Sequence, residues 1–294
     1  MALKRYSIKE APRERKPPGA ATQRLPPPSR LKPERNGAEG CPAPPPRKIP
    51  DFSWANAISE EEWDIYKSAI ETLRSTGVRF LLGGGFALAT FTGRWRDTKD
   101  IDFYVCPRDR EAVVAALTKA GFADYYNQRP YDRKWIHRSV RFGVIVDIIW
   151  SMANQRAQVD DEWFNGSISV SLRGEKLQVV PMEEFLWCKL YIMQRDHCDW
   201  TDIFNLVYAN GELIDWRHLI ERLKGDTPLL RAMLHIFGWL CPKQTRRLPG
   251  YLWKRLAMPN PALTVRPSRR DRIRLLDSRA WFAALLPEDR KLEV

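Results

Sequence analysis

Residues Phe80 to Val105 read FLLGGGFALATFTGRWRDTKDIDFYV: an apolar run, three glycines, a short mixed segment, then Asp-Ile-Asp leading into a second apolar run. A strand that breaks into Gly83-Gly84-Gly85 leaves peptide N–H groups with no Cβ beside them, and a helix starting there adds the positive end of its dipole. The expectation is a phosphate cradle. Asp100 and Asp102 stand two apart among Ile101, Phe103, Tyr104 and Val105, so on a strand both carboxylates share one face. Two carboxylates beside such a cradle suit a divalent cation, Mg2+ or Mn2+, bridging to a triphosphate. Farther along, Val144 to Trp150 reads VIVDIIW, too apolar for a surface strand. Asp147 inside it is the third carboxylate of interest, because an ionised side chain on a buried strand is costly without a cation or hydrogen bonds.

Moving outward, Ser59 with Glu62 forms a capping box, and Trp63, Tyr66, Ile70 and Leu73 recur at helical spacing until Gly77. Strands are expected over 78–82, 100–105, 134–138 and 142–150, with a short helix over 86–91. Another helix runs from Pro107 to Gly121. Segments 167–172 and 176–180 flank Arg173-Gly174-Glu175 as a hairpin. From Pro181 the spacing turns helical, over 181–195, 199–209, 215–223 and 228–240, and 271–286 allows one more helix. The fold class is therefore α/β (α+β), a mixed β-sheet flanked by helices and followed by a helical lobe.

The charge is unevenly spread. Residues 1–50 hold 12 of the 22 prolines and 12 Lys+Arg against 4 Asp+Glu, the composition of a disordered basic tail. Residues 246–294 carry 12 basic and 5 acidic residues, a basic C-terminal extension. The middle holds 24 basic against 27 acidic residues, so the overall charge of +12 belongs to the two ends. A mildly acidic core argues against a processive polymerase, whereas the tails could tether RNA or an acidic partner. No stretch approaches the roughly 20 apolar residues of a membrane span, and 1–50 contains no apolar leader, so the chain is expected to be cytoplasmic. Five scattered cysteines read as reduced thiols, and the four histidines lack the spacing of a zinc site.

The pair Gly83-Gly84, the interval of 15 residues from Gly85 to Lys99 and the Asp-x-Asp that follows resemble the active-site motif of the DNA polymerase β-like nucleotidyltransferase superfamily. In much of that superfamily the second glycine position is serine and the interval somewhat shorter. The order of GGGFAL, TGRWRDTKDIDFYV, VDIIW, VDDEWF, PMEEFLWCKLYIMQRD, DWTDIFNL and LIDWRHLIERL is similar to a bacterial nucleotidyltransferase family related to the AbiEii-type toxin nucleotidyltransferases. The resemblance covers roughly residues 59 to 241. It implies a catalytic domain over 51–180, a helical lobe over 181–245 that completes the cleft, and an enzyme that moves NMP from an NTP substrate to a hydroxyl of a small molecule, RNA end or protein. Asp100, Asp102 and Asp147 would be both catalytic and metal-binding.

Gly83, Gly84 and Gly85 would offer N–H groups to the phosphates. Arg96 and Lys99 match the family's Arg-Asp-Thr-Lys-Asp run and would offset phosphate charge, or one of them would pair with Asp97 or another acid. Lys189 stands on an apolar face with Phe185, Leu186 and Ile192. By resemblance to the toxin enzymes it is a triphosphate contact with Asp202 as its organiser, and by ordinary helix packing it is half of a salt bridge. Most tryptophans are expected in the core, with Trp163 the candidate for stacking on a base. The alternative from another class is a nucleotide-binding or antitoxin-like interaction module that kept the site without turnover. A phosphatase or glycosyltransferase using Asp-x-Asp ranks last, because the glycines precede the acidic strand.

Overall fold

The computed structural model describes residues 52–96, 98–195, 197–263 and 272–276. The expected tail over 1–50, a pairing with Asp97 and most of the expected helix over 271–286 lie outside the described residues. Ser59 opens α1 (Glu60–Ser75) with both halves of the capping box formed, and its Trp63, Tyr66, Ile70 and Leu73 are buried. Strand β1 is only Leu81–Leu82, and α2 (Gly84–Thr92) starts two residues earlier than expected, within the glycine run. Then follow β2 (Asp100–Tyr104), α3 (Arg110–Lys119), β3 (Ala123–Asp124), β4 (Ile136–Arg141), β5 (Val144–Ile149), α4 (Asp161–Asn165), β6 (Ile168–Leu172) and β7 (Glu175–Val179).

These strands form one mixed seven-stranded sheet in the order β3-β4-β5-β2-β1-β7-β6. The pairs β2/β5 and β1/β7 are parallel, and the other neighbours are antiparallel. Two hairpins set the register at either side. Phe142 and Gly143 have φ of 50° and 83°, and Arg173 and Gly174 have φ of 47° and 87°. Two consecutive left-handed residues are what a type I′ turn requires, and its twist matches that of the strands it joins. The strands expected over 134–138 and 142–150 are therefore displaced to Ile136–Arg141 and Val144–Ile149, with Phe142, 86% exposed, in the turn.

The lobe consists of α5 (Met182–Leu190), α6 (Trp200–Asn210), α7 (Trp216–Leu223), α8 (Thr227–Leu240), α9 (Pro242–Thr245) and α10 (Gly250–Arg255). The single helix expected over 181–195 stops at Leu190. The returning chain supplies the partners its last turn needs: Asp199 N–H donates to the Ile192 carbonyl at 3.0 Å and Trp200 Nε1 to the Leu190 carbonyl at 3.3 Å. Helix α6 packs on both α2 and α5, which brings the lobe against the glycine end of the sheet. Trp163 is 1% exposed and lies between Tyr104, 5.4 Å away by ring centroids, and Trp187, 6.4 Å away. The expectation that it stacks on a base is corrected: it is core. Cys106, Cys188, Cys198 and Cys241 are free thiols. Among the described residues no helix is long and apolar enough to cross a membrane.

Candidate active site

Strand alternation and register bring the three aspartates together. Asp100 and Asp102 share one face of β2, and the parallel pairing of β2 with β5 sets Asp102 directly beside Asp147. Asp147 is 1% exposed. Their environments differ. Asp100 Oδ1 accepts from Thr98 Oγ1 at 2.7 Å. Asp147 is gripped through both oxygens by Arg138 of β4, with Nε to Oδ1 at 2.8 Å and Nη2 to Oδ2 at 2.5 Å. Asp102 accepts no hydrogen bond and has no ion pair among the described residues. Burial pushes its carboxyl well above the ordinary range, the charges of Asp100 and Asp147 push it the same way, and Lys189 and Arg138 offset only part of this. Burial also raises Asp147, to about 6, against the hydrogen bonds and charge of Arg138 that pull it down.

Each glycine of the cluster is fitted under a side chain. Gly84 has φ of +51°, and a Cβ there would overlap Oδ2 of Asp102. A Cβ on Gly83 would overlap the Tyr104 ring, and one on Gly85 would come within 3.2 Å of Thr98 Cβ. The glycines thus let α2 begin flat against β2, with Asp102 over the first turn. One expectation changes in detail: the Gly83 N–H donates to the Asp102 carbonyl at 2.9 Å as part of the sheet, so it is not available to a phosphate. Gly84 and Gly85 stand in the first turn of the nine-residue α2, where helix amides lack intrahelical partners.

A family model described as uncharacterised nucleotidyltransferase matches residues 63–243, more than half of the chain. The chain belongs to that family. No curated protein matches it. Among solved structures, the antibiotic-resistance factor ANT(2'')-Ia in solution is 16% identical at a TM-score of 0.42, covering 61% of this chain and 97% of that one. The lincosamide antibiotic adenylyltransferase LnuA with lincomycin bound is 17% identical at 0.36, covering 51% of this chain and 96% of that one. An antigenic nucleotidyltransferase-like protein from Paracoccidioides brasiliensis is 18% identical at 0.30, covering 60% and 94%. These are distant likenesses.

On the lobe side of this nucleotidyltransferase-family chain, Lys189 is nearly buried and its Nζ bonds Asp199, with Asp202 Oδ2 at 3.1 Å. Asp202 also takes Arg96 Nη2 at 3.2 Å, and Asp199 takes His197 Nε2 at 2.7 Å. Burial alone would lower Lys189, but the charges of Asp202 and Asp199 outweigh it and hold the ammonium above its ordinary value. Lys189, Asp202 and Arg96 are therefore one network joining α5, α6 and the segment before β2. Lys99 is exposed and forms no ion pair among the described residues. Replacing Lys189 with Met leaves Asp199 and Asp202 short of their shared cation. The expected cost is about 3 kcal/mol in urea unfolding, the low end for a broken buried pair, because Arg96 and His197 remain. A Lys189→Arg protein should lose much less.

Hard carboxylate oxygens are what Mg2+ or Mn2+ takes, and Asp102 is the member of the patch without a counter-charge, so the donor chemistry at Asp100 and Asp102 fits a divalent ion. Asp147 differs, since Arg138 holds both of its oxygens. Among the described residues no group of three or more His, Cys, Asp or Glu closes on a common point as a metal site does. Arg138 and Asp199 are the site residues that the sequence reading did not assign. The signal for Arg138 was present: a two-residue turn at Phe142-Gly143 pairs Arg141 with Val144 and, counting back, Arg138 with Asp147.

Proposed function

We propose that this chain is a metal-dependent nucleotidyltransferase that moves NMP from an NTP to a hydroxyl acceptor and releases pyrophosphate. The observation that carries the reading is Asp102: a half-buried carboxylate without a partner, flanked by Asp100 and Asp147 and lying over the N-terminal turn of α2. A charge kept there against its own electrostatics suits a site where cation and polyphosphate meet. Family membership supports the reaction class. The acceptor oxygen forms a bond to the α-phosphorus as the bond from that phosphorus to the bridging oxygen breaks. The electron pair leaves with pyrophosphate, and the hydroxyl proton passes to an ionised carboxylate of the patch.

Asp100 and Asp102 would hold Mg2+ or Mn2+, which when bound neutralises charge developing on the phosphates. Gly84 and Gly85 N–H groups at the helix start receive the triphosphate, and Arg96 and Lys99 offset its charge. Lys189 reaches the phosphates from the lobe while Asp202 fixes its position. This division of work follows the resemblance to the AbiEii-type enzymes, with the protein acting in the cytoplasm. The test supplies each α-labelled NTP with Mg2+ or Mn2+ to total RNA, cell lysate and small hydroxyl compounds. Label transferred by the wild-type protein and pyrophosphate released in equal amount are the expected results. Metal-dependent NTP binding without transfer to any acceptor would favour the binding-module reading instead.

A further inference from the structure

The sheet places a permanent cation inside the acidic patch. Arg138 lies opposite Asp147 in the β4/β5 pairing, and its guanidinium makes a two-point contact with that carboxylate. The same Nη2 stands 3.6 Å from Asp100 Oδ2, so one group spans the first and third aspartates. Its position is fixed from several sides. The Arg138 N–H donates to the Tyr131 hydroxyl at 2.9 Å, the guanidinium carbon lies 5.9 Å from the centroid of the Tyr125 ring, and the side chain is 32% exposed. A planar fork meeting a buried carboxylate through two parallel hydrogen bonds is held in geometry as well as charge. Releasing it would leave Asp147 charged and unpaired at 1% exposure, which is strongly unfavourable.

A two-ion mechanism needs the three aspartates to share two divalent ions about 3.5–4 Å apart. One of those ions would have to bridge to Asp147, the carboxylate that Arg138 holds through both oxygens. We propose that Arg138 stands in for that ion, so that the site loads a single divalent ion, at Asp100 and Asp102, when nucleotide binds. The inference rests on the nucleotidyltransferase reading above and deepens it. Arg138 is a positioning residue on these terms: it supplies charge and fixes Asp147 without contacting the reacting atoms.

The test counts Mn2+ bound per chain, by equilibrium dialysis and the electron paramagnetic resonance of free Mn2+, in the presence of a non-hydrolysable NTP analogue. Wild-type protein should bind one ion, Arg138→Lys one, and Arg138→Gln two, with circular dichroism to check that each variant is folded. Two ions in the wild-type protein overturn the proposal while leaving the nucleotidyltransferase reading intact. A folded Arg138→Gln protein that still binds one ion also overturns it. Should that variant not fold, the wild-type and Arg138→Lys counts decide. If neither Mn2+ nor the analogue binds wild-type protein, both this proposal and the reading beneath it fail, and the absence of nucleotide binding marks that case.

Discussion

Replacing Asp102 with Asn is expected to cut nucleotide transfer by at least about a thousandfold, roughly 4 kcal/mol of transition-state stabilisation, and at the same time to make the ligand-free protein more stable. The two effects share a cause. The Asp102 carboxyl is raised well above its ordinary value by burial and by its two acidic neighbours, so the folded chain binds that proton more tightly than the unfolded chain does. Asp147 is raised in the same direction, to about 6. A raised carboxyl contributes stability below the unfolded value near 4, and that contribution is lost as pH rises through the folded value. Ligand-free wild-type protein should therefore lose stability between about pH 4 and somewhat above pH 6, with a shallower slope in Asp102→Asn.

At pH 7.5 the substitution should raise the melting temperature by roughly 2–4 °C, the equivalent of about 1 kcal/mol in a domain of this size. Adding Mg2+ with a non-hydrolysable NTP analogue should reverse the ranking, because ligands that bind only the folded state stabilise it and the variant lacks the charge they need. Differential scanning calorimetry with and without that mixture, alongside the transfer assay, checks all of this. A variant that is inactive and also less stable would mean that Asp102 has a structural partner, and the reading of it as an uncompensated functional charge would be lost.

What could be read from the chain followed from how local each determinant is. The alternation around Ile101 exposes the Asp100 and Asp102 pair without any knowledge of neighbours, and the apolar run around Asp147 marks it as expensive and therefore of interest. The capping box at Ser59 and the glycine turn after Arg173 are complete within a few residues. The remainder needed partners far apart in the sequence. Arg138 looks like an ordinary charge on a half-exposed strand until the Phe142-Gly143 turn fixes the register that sets it against Asp147. Helix α5 has no breaker near Leu190, and it ends because Asp199 and Trp200 come back to serve it. Gly83 appeared to be a free donor because its acceptor, the Asp102 carbonyl, belongs to the strand 19 residues later. Trp163 follows three acids and looked exposed on that ground, yet its contacts are Tyr104 and Trp187.

Restoring the serine found at the second glycine of many superfamily motifs, by Gly84→Ser, is expected to inactivate this chain rather than improve it. A hydroxyl at that turn would ordinarily add a phosphate hydrogen bond. Here φ at Gly84 is +51°, and a Cβ would overlap Oδ2 of Asp102, so the carboxylate and a side chain cannot share the space. The left-handed backbone costs a residue with a Cβ about 1–2 kcal/mol, and forcing an extra atom into a packed site costs a further 1–3 kcal/mol or so. Gly84→Ser and Gly84→Ala should each lose about 2–4 kcal/mol in urea unfolding, and transfer should fall by more than about a hundredfold as Asp102 is pushed off its position. Gly77→Ala separates the two contributions: φ there is +69° with nothing within 4 Å of the added Cβ, so only the backbone cost should appear and transfer should stay near wild type. If Gly84→Ser were as stable as Gly77→Ala and still active, Asp102 would not lie over the first turn of α2, and the contact between carboxylate and helix start on which the site is built would have to be redrawn.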